Sequence, residues 1–325
     1  MSPPEAKQPH HTAKGFRNNY PHERRGLKDF VGFLDAWDWS GPARVHFPLA
    51  QNDPVFLKEN RQEPTLTWIG HDTFLIQLAG KNILTDPHFS ARAFPVQFAG
   101  PKRWAPPGLA LKQLPAIDLV FISHNHYDHL DEKSVKWIAK RNPQARFFVP
   151  LGLQRWFRRR GIKEVIELDW GQQAEHQGVI GHAVPVQHFS GRSATDRNKT
   201  LWCGWLIELA GQRIFFAGDS GYSKDFKDIG ARFPGIDLAL IPIGAYEPRW
   251  FMQAMHVNPE EAVKIHQDVK TRYSVAMHWG SFRLTLEPMD EPPRRLAAAL
   301  QAAAIPGDRF WVMQHGETRK LDFLG

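Results

Sequence analysis

The chain has 325 residues, 42% of them hydrophobic, and is therefore long enough to bury a full core. Its 41 Lys and Arg exceed its 34 Asp and Glu, and the formal charge of +7 favours acidic partners such as phosphate esters, anionic lipid surfaces or nucleic acid. The single cysteine, Cys203, excludes an internal disulfide and a thiolate metal cluster, so a metal site would have to use His and carboxylate side chains.

The first segment, residues 1–62, is Pro-rich, basic and weakly periodic. It predicts an extended arm with one short helix around LKDFVGFLDAW, packed on a single domain, 63–325. His10 and His11 in this arm are expected to be solvated. The chain shows neither a signal-peptide pattern nor an apolar stretch of membrane-span length, so we expect a cytoplasmic location, with contact to a membrane surface left open.

Short β-rich runs begin at Thr65 and follow one another as TLTWIG, TFLIQLAG, KNILTDP and AIDLVFIS, with turn residues between them. These runs predict four strands. The segment DEKSVKWIAKRN comes next and places Val135 and Ile138 on one face, which predicts a helix.

The second half of the chain repeats this order. The segment LIQLAGKNILTD (75–86) has a near copy in LIELAGQRIFFAGD (206–219), and IDLVFIS (117–123) has one in IDLALIP (236–242). Two matches in the same order predict an internal duplication, with two β-rich halves packed face to face.

A capped helix is predicted after the second of the IDL strands, at NPEEAVKIHQDV. Asn258 can cap this helix, Pro259 suits its first position, and Glu261 stands where a capping box needs an acidic residue. Together with the strand runs, this helix predicts an α/β fold with two sheets inside and helices outside. The strand ends of the two halves should then meet along a seam.

The segment DLVFISHNHYDHLD (118–131) sets four ligand-type side chains directly behind an apolar run: His124, His126, Asp128 and His129. Because alternate residues of an extended chain point the same way, His124 and His126 can share one ion while Asp128 and His129 face a second. Imidazole and carboxylate are the ligands of a cysteine-free zinc site, and two adjacent ions need roughly six such groups. The cluster is therefore incomplete and predicts further ligands downstream.

Three downstream residues each end an apolar run: His188 in HAVPVQH, Asp219 in RIFFAGD and His278 in YSVAMH. Any one of them alone would more often cap a turn. Three of them after a cluster of four favour metal ligation instead.

These residues together resemble the pattern of the metallo-β-lactamase superfamily, whose fold is a four-layer αββα sandwich of two related halves. The resemblance implies seven ligands for two zinc ions: His124, His126 and His188 for the first, Asp128, His129 and His278 for the second, and Asp219 as the bridge. Iron or manganese in the same ligand set stays open.

Segments outside the predicted ligands indicate which family of this superfamily the chain resembles. GPKRWAPP, FFVPLGL, VIELDWG, IPIGAYEPRWFM and HVNPEEAVKIH resemble the N-acylphosphatidylethanolamine-hydrolysing phospholipase D family and its bacterial relatives. The family implies hydrolysis of N-acylphosphatidylethanolamine-like lipids to N-acylethanolamine and phosphatidic acid, through a hydroxide that bridges two zinc ions. A positively charged surface suits such an anionic head group.

The resemblance also implies catalytic roles for His256 and Asp128. His256 lies in WFMQAMHVNPEE just before a predicted helix, and it is the expected proton donor or charge partner of the leaving group. The alternative is a histidine that only orders this loop. Tyr127, Tyr246 and Glu247 are expected to face the substrate.

Two further polar residues are expected to support the ligands rather than bind metal. Asp86 is the first-half counterpart of Asp219 and should form a turn or a hydrogen bond to a ligand, and His71 in WIGHDTF should orient one. The basic run WFRRRG (156–161) is expected to be a solvated helix end, with contact to anionic lipid as the alternative. Cys203 should be a small core residue.

Three other functions remain open from the sequence. A lactonase or other ester hydrolase acting on a phosphorylated small molecule would need a small polar pocket, whereas the aromatic AYEPRWFM segment favours a wide apolar groove. A nuclease would suit the basic pI near 9.5, but no interleaved basic and aromatic stripe is present, and we expect no nucleic-acid partner. A non-catalytic membrane-associated binding protein would be expected to have lost ligands. The predicted partners are a phospholipid or small phosphodiester substrate, with peripheral membrane contact and a homodimer left open.

Overall fold

The computed structural model describes residues 8–23, 26–37 and 44–324. Three parts of the predicted arm 1–62 lie outside the described residues, namely 1–7, 24–25 and 38–43.

The described part of the arm contains a small hairpin and two helices, which are β1 (His11–Thr12), β2 (Gly15–Phe16), α1 (Leu27–Ala36) and α2 (Pro54–Glu59). The helix predicted around LKDFVGFLDAW is confirmed by α1. The sequence analysis missed α2, although its start is marked: Asp53 caps it by accepting hydrogen bonds from the amides of Val55 and Phe56, and Pro54 opens the helix.

The first half of the domain consists of six strands and two helices: β3 (Thr65–Gly70), β4 (Thr73–Leu78), β5 (Lys81–Thr85), β6 (Leu119–Phe121), α3 (Glu132–Arg141), β7 (Arg146–Pro150), α4 (Gln154–Arg158) and β8 (Val165–Leu168). The remaining elements are β9 (Gln173–His176), β10 (Val179–Val184), β11 (Gly204–Leu209), β12 (Gln212–Phe216), α5 (Asp225–Arg232), β13 (Leu238–Pro242), α6 (Arg249–Met252), α7 (Pro259–Asp268), β14 (Tyr273–Met277), α8 (Glu291–Ala302), β15 (Phe310–Trp311) and β16 (Thr318–Lys320).

The two large sheets of the described chain repeat one topology. Their strand orders are β16-β3-β4-β5-β6-β7-β8 and β9-β10-β11-β12-β13-β14-β15, and in each order three antiparallel pairings are followed by three parallel ones. The registers also agree, since Leu75 faces Leu84 across β4 and β5 while Leu206 faces Phe215 across β11 and β12. The predicted duplication is therefore confirmed.

The hairpin turns of the two halves match in backbone conformation. Ala79 and Gly80 have φ angles of 46° and 77°, and Ala210 and Gly211 have φ angles of 51° and 79°. Two consecutive residues with positive φ suit the right-handed twist of the flanking strands, which is why glycine stands at the second position of both turns.

Alternation along the strands creates the layers. Leu119 and Phe121 of β6 pack in the large cluster that includes residues of both sheets, whereas Val120 packs with Val135 and Ile138 of α3 on the outer face. On the other side, α7 packs on β13 and against α5 and α8. The predicted four-layer αββα sandwich is confirmed. None of the described helices combines the length and apolar character needed to cross a membrane.

The capping residues predicted from the sequence act as expected. Asn258 accepts from the amide of Glu261, and the Glu261 carboxylate accepts from the amide of Asn258, which completes a capping box at the start of α7. Asp131 caps α3 by accepting a hydrogen bond from the amide of Lys133, a cap that the sequence analysis did not name.

Candidate metal centre

Four of the predicted ligands converge in a first cluster between the two halves. Nε2 of His124 lies 2.8 Å from Nδ1 of His126, and Nε2 of His188 lies 3.3 Å from the same Nδ1. Oδ2 of Asp219 is 3.8 Å from His124 Nε2 and 3.7 Å from His188 Nε2. These atoms come from loops that follow β6, β10 and β12, so the site needs both halves of the fold.

A second cluster shares Asp219 with the first. Oδ2 of Asp128 lies 3.3 Å from His129 Nε2 and 3.5 Å from His278 Nε2. Asp219 faces the same pair, with Oδ2 at 3.0 Å from His129 Nε2 and Oδ1 at 3.1 Å from His278 Nε2. The structure thus brings all seven predicted ligand residues together, with Asp219 between the two groups.

Buried atoms without hydrogen bonds show that these residues fit a metal. Nε2 of His129, Nε2 of His278 and Oδ1 of Asp219 are buried and make no hydrogen bond within the described residues. Leaving such an atom buried without a partner costs roughly 1–3 kcal/mol each. Imidazole nitrogen and carboxylate oxygen are the donors that zinc and related cations accept, so a bound cation would satisfy these atoms.

The electrostatics of the two clusters point the same way. Burial lowers the pKa of His126 to about 4 and that of His188 to about 3, so both imidazoles are neutral, which is the form that binds a cation. Burial also acts to lower the pKa of His129 and His278, but nearby carboxylates, Asp219 foremost, outweigh it and hold both pKa values well above the usual range. The carboxylates of the site therefore attract positive charge.

Asp86 supports one imidazole of each cluster. Its Oδ2 lies 2.7 Å from His129 Nδ1, and it also accepts a hydrogen bond from the hydroxyl of Ser123. That hydroxyl lies 2.9 Å from Nδ1 of His124. Asp86 therefore holds the distal ring nitrogens of His124 and His129, which directs Nε2 of each ring into the site. Asp86 thus forms the expected hydrogen bond to a residue that is itself a predicted ligand, His129.

Two more of the predicted ligand residues, His188 and Asp128, are oriented by neighbours. Nδ1 of His188 lies 2.9 Å from the carbonyl oxygen of Met255, so this nitrogen carries the proton and Nε2 keeps its lone pair. Nε2 of His71 lies 3.0 Å from Oδ2 of Asp128, in agreement with the expected orienting role. His71 is fully buried, and burial lowers its pKa well below the usual range.

The sequence analysis missed Asp72, which follows His71 directly. This side chain is completely buried, and its Oδ2 lies 3.4 Å from His129 Nδ1. Burial raises the pKa of Asp72 to about 8. A carboxylate next to His71, in the turn between β3 and β4, was the sequence signal that could have identified it.

The sequence analysis also missed Arg192. Its Nη1 donates to the carbonyl oxygens of Asn125 and Leu130 at 2.8 and 2.9 Å, and its guanidinium lies 3.9 Å from the ring centroid of Tyr127. The Tyr127 hydroxyl in turn donates to the carbonyl oxygen of Arg192 at 3.1 Å. We call residues 124–129, which carry four of the predicted ligands, the ligand loop. Arg192 therefore connects the ligand loop to the loop that follows His188, and no spacing pattern in the sequence marks this contact.

His256 lies at the edge of both clusters. Its Nε2 is 3.9 Å from Oδ2 of Asp219, and its ring centroid is 5.2 Å from those of His188 and His278. Nδ1 is buried without a hydrogen bond, and burial lowers the pKa of His256 to about 3. Arg249 fixes the loop by donating to the carbonyl oxygen of His256 at 2.9 Å.

Of the three residues expected to face the substrate, Tyr127 lies in the ligand loop, but the other two do not reach the clusters. Tyr246 is completely buried, and its hydroxyl donates to Glu291 of α8 at 2.7 Å. Glu247 Oε1 lies 3.6 Å from Arg295 of the same helix. A hydrogen bond holds Tyr246 against α8 and charge pairing holds Glu247 there, and contact of these two residues with a substrate stays a prediction.

The fold and the site together define a metal-dependent hydrolase. A family model described as the beta-lactamase superfamily domain matches residues 81–279. The archaeal metallo hydrolase Igni18 from Ignicoccus hospitalis superposes with a TM-score of 0.60 at 22% identity, covering 79% of this chain and 98% of that one.

Sequence comparison finds nearer relatives. The chain is 43% identical to N-acyl-phosphatidylethanolamine-hydrolyzing phospholipase D 1 of Caenorhabditis elegans over 247 residues, which is 73% of this chain and 69% of that protein. It is 38% identical to the mitochondrial N-acyl-phosphatidylethanolamine-hydrolyzing phospholipase D of Saccharomyces cerevisiae, over 79% of this chain and 56% of that protein. The chain belongs to the metallo-β-lactamase superfamily and, within it, to the N-acylphosphatidylethanolamine-hydrolysing phospholipase D family.

Proposed function

We propose that the protein is a phosphodiesterase of the phospholipase D type. It hydrolyses N-acylphosphatidylethanolamine-like lipids to an N-acylethanolamine and phosphatidic acid, with two zinc ions as cofactor. The observation that carries this proposal is the pair of ligand clusters joined by Asp219, since two adjacent cations are suited to phosphate ester hydrolysis. The two relatives named for this activity support the choice of substrate.

The proposed ligand sets follow the two clusters: His124, His126 and His188 for one ion, Asp128, His129 and His278 for the other, and Asp219 for both. When bound, such a metal pair would lower the pKa of a bound water to about 7 and would neutralise negative charge on phosphate oxygens. Neutral His126 and His188 are already in the form that this role needs.

The protein's own side chains then divide the remaining tasks. Asp128 has 13% of its side chain exposed, compared with 2% for Asp219, so its carboxylate is the one that can accept a hydrogen bond from an incoming water. Nε2 of His256 lies 3.9 Å from Asp219 in a ring that burial keeps neutral, and its N–H can donate a hydrogen bond to the leaving oxygen, which stabilises the negative charge that develops there. We therefore propose Asp128 and His256 as the catalytic residues.

Exposed apolar side chains support a lipid substrate. We call Phe30, Val31, Phe94, Phe98 and Trp250 the apolar rim, and their exposed fractions run from 41% to 83%. Large apolar side chains exposed on two sides of a polar site are typical of a surface that meets lipid.

The apolar rim flanks the clusters on both sides. On one side, the ring of Phe94 lies 6.1 Å from that of Tyr127 in the ligand loop. On the other side, Trp250 belongs to α6, which leads into the His256 loop, and α1 packs on α6 through Phe33 and Phe251, whose stacked rings are 4.9 Å apart. We propose that the rim rests on a membrane surface while the phosphodiester enters the site, and the charge of +7 favours anionic lipid there. The homodimer stays a prediction.

A substrate panel tests the function. The purified protein is given N-acylphosphatidylethanolamine, phosphatidylcholine, a phosphosugar lactone and a short RNA, each with and without a chelator, and zinc, iron or manganese is then added back. We expect turnover of the N-acylated lipid, its loss on chelation, and its best recovery with zinc. Turnover of the lactone or the RNA without the lipid would overturn the substrate assignment.

A variant of the shared ligand tests the site itself. Asp219→Ala should abolish turnover and reduce bound metal, because both clusters lose a carboxylate. Near-normal turnover with two bound metal ions would overturn the proposed ligand sets.

A further inference from the structure

The described part of the arm starts with a clasp on the connection between β8 and β9, which joins the two halves of the domain. Nε2 of His10 lies 2.6 Å from Oδ1 of Asp169, and Nε2 of His11 lies 2.7 Å from Oδ2 of the same carboxylate. The His10 ring also lies 4.5 Å from that of Trp170. The two imidazoles and the carboxylate contact one another directly, so they anchor the arm at Asp169. The prediction that His10 is solvated was wrong, because only 5% of the residue is exposed.

The arm is fixed a second time on α5. The side-chain amide of Asn19 donates to Oδ1 of Asp225 at 3.0 Å, and the hydroxyl of Tyr20 donates to Asp228. The segment between the clasp and α5 is therefore held at both ends, which fixes the residue at position 18.

Asn18 forms a two-point contact with the main chain of a proposed metal ligand. Its Nδ2 donates to the carbonyl oxygen of His188 at 3.0 Å, and its Oδ1 accepts from the amide of His188 at 3.1 Å. One planar amide thus matches both main-chain groups of one residue, as a neighbouring strand would. The Asn18 oxygen also accepts from Nε1 of Trp202 at 3.1 Å, which fixes the orientation of the amide.

His188 needs this contact because the sheet has already ended. The pairing of β10 with β11 stops at Val184, and among the described residues Asn18 is the partner recorded for both the amide and the carbonyl of His188. The imidazole is held separately through Met255. The direction of Nε2 therefore depends on two supports, one at the ring and one at the backbone.

We propose that arm residues 8–23 complete the metal centre and that Asn18 is a positioning residue for His188. This inference rests on the proposed function, because it takes His188 as a ligand. Asn18 touches neither the substrate nor the ion; it sets the backbone from which Nε2 of His188 reaches the first cluster. Groups that orient a ligand in this way typically change metal affinity 10- to 100-fold when they are replaced.

Metal affinity measured on the 325-residue chain tests the inference. Asn18→Asp keeps the size and one acceptor but turns a carboxylate oxygen toward the His188 carbonyl, and Asn18→Ala removes both hydrogen bonds. Asn19→Ala is the matched control, because it removes one arm contact, to Asp225, while Tyr20 still holds the arm on α5 and the contacts of Asn18 with His188 stay in place. Zinc affinity is measured by competition with a chelating dye, and the melting temperature of each metal-free variant is measured in parallel.

We expect both Asn18 variants to bind one of the two zinc ions about 10- to 100-fold more weakly, while Asn19→Ala keeps the wild-type affinity. Asn18 variants that melt at a lower temperature but keep the wild-type affinity would assign Asn18 to structure alone and overturn the inference. His188→Ala separates this from a failure of the proposed function: if it binds both ions as tightly as the wild type, His188 is not a ligand, and both proposals fail.

Discussion

At the scale of single residues, hydrogen bonds to the Nδ1 atoms of the proposed ligand histidines determine where their Nε2 atoms point. The Asp86 carboxylate accepts a hydrogen bond from Nδ1 of His129. It also accepts one from the hydroxyl of Ser123, which in turn orients the ring of His124. Neither imidazole could otherwise hold a fixed tautomer, because each ring nitrogen can carry the proton. One buried carboxylate thus serves both clusters.

The variant Asp86→Asn should therefore weaken metal binding. The introduced amide would set an NH₂ group against a nitrogen or hydroxyl that now donates, and we expect about 10- to 100-fold lower metal affinity from the loss of this support. Titration with a chelating dye measures the effect. Asp118→Asn is the control, since Asp118 accepts from the amide of Asn82 at 2.8 Å at the other end of β6 and should leave metal affinity unchanged. Equal affinities in the two variants would contradict the role of Asp86.

His256 gives the second prediction at this scale. His256→Ala should lower turnover by about 10²- to 10³-fold, the usual contribution of a positioned hydrogen-bond donor to developing negative charge, while metal content stays at the wild-type value. Activity on N-acylphosphatidylethanolamine and metal analysis of the same sample provide the measurement. His266→Ala is a suitable control, because His266 is a buried histidine that contacts Ser274 away from the site. Loss of metal from His256→Ala would mean that this residue supports the site structurally.

At the scale of elements, the site forms where the loops of the two halves touch. Gly218 precedes Asp219 and has a φ of 59°, and a Cβ atom on it would lie 2.6 Å from Cβ of Ser123 in the opposite half. The close approach is possible only for glycine. It brings Asp219 next to the residues that orient His124.

Two glycine substitutions separate backbone strain from crowding. The Cβ atom of Ala in Gly211→Ala would lie more than 4 Å from any neighbouring atom, so the substitution adds only the backbone strain of a φ of 79°. It should lower the free energy of unfolding by about 1 kcal/mol and leave metal affinity unchanged. Gly218→Ala carries a similar strain and also displaces Ser123, so it should cost about 1–3 kcal/mol more and weaken metal binding. Urea unfolding and metal titration distinguish the two. Unchanged metal affinity in Gly218→Ala would show that the contact between the halves does not position the site.

The elements that the sequence predicted, such as α1, α3, α7 and the two repeated hairpins, have determinants that are local in the sequence. The capping box of Asn258 and Glu261 and the cap at Asp131 are set by neighbours within three residues. The Ala-Gly turns and the repeated hairpins follow from short patterns too. The ligand spacing in HNHYDH predicted the site for the same reason.

At the scale of the whole molecule, the apolar rim flanks the polar site proposed for catalysis. Phe98 is 83% exposed and Trp250 is 44% exposed. Transfer of such side chains from water to a lipid interface stabilises association by about 1.5–3 kcal/mol per fully buried residue.

Charged substitutions in the rim should therefore weaken membrane binding. We expect Phe98→Asp and Trp250→Asp each to lower the affinity for N-acylphosphatidylethanolamine vesicles by about tenfold, since 1.4 kcal/mol corresponds to a factor of ten. Vesicle co-sedimentation measures binding, and a short-chain soluble substrate should still be turned over at the wild-type rate. Val55→Asp is the control: Val55 is 63% exposed on α2, whose Leu57 carbonyl accepts from Gln77 of β4. Unchanged vesicle binding in the rim variants would contradict the proposed membrane surface.

The sequence by itself determined the duplicated strand order, the helix caps and the set of seven ligand-type residues, because periodicity, caps and motif spacing act over short stretches of chain. Only the tertiary structure decided which residues support those ligands. Asn18 and His188 are 170 residues apart, His10 is buried because Asp169 lies across from it, and Tyr246 turns to α8 instead of the site. Such contacts depend on how the packed halves and the arm come together in space, and no local pattern in the sequence encodes that.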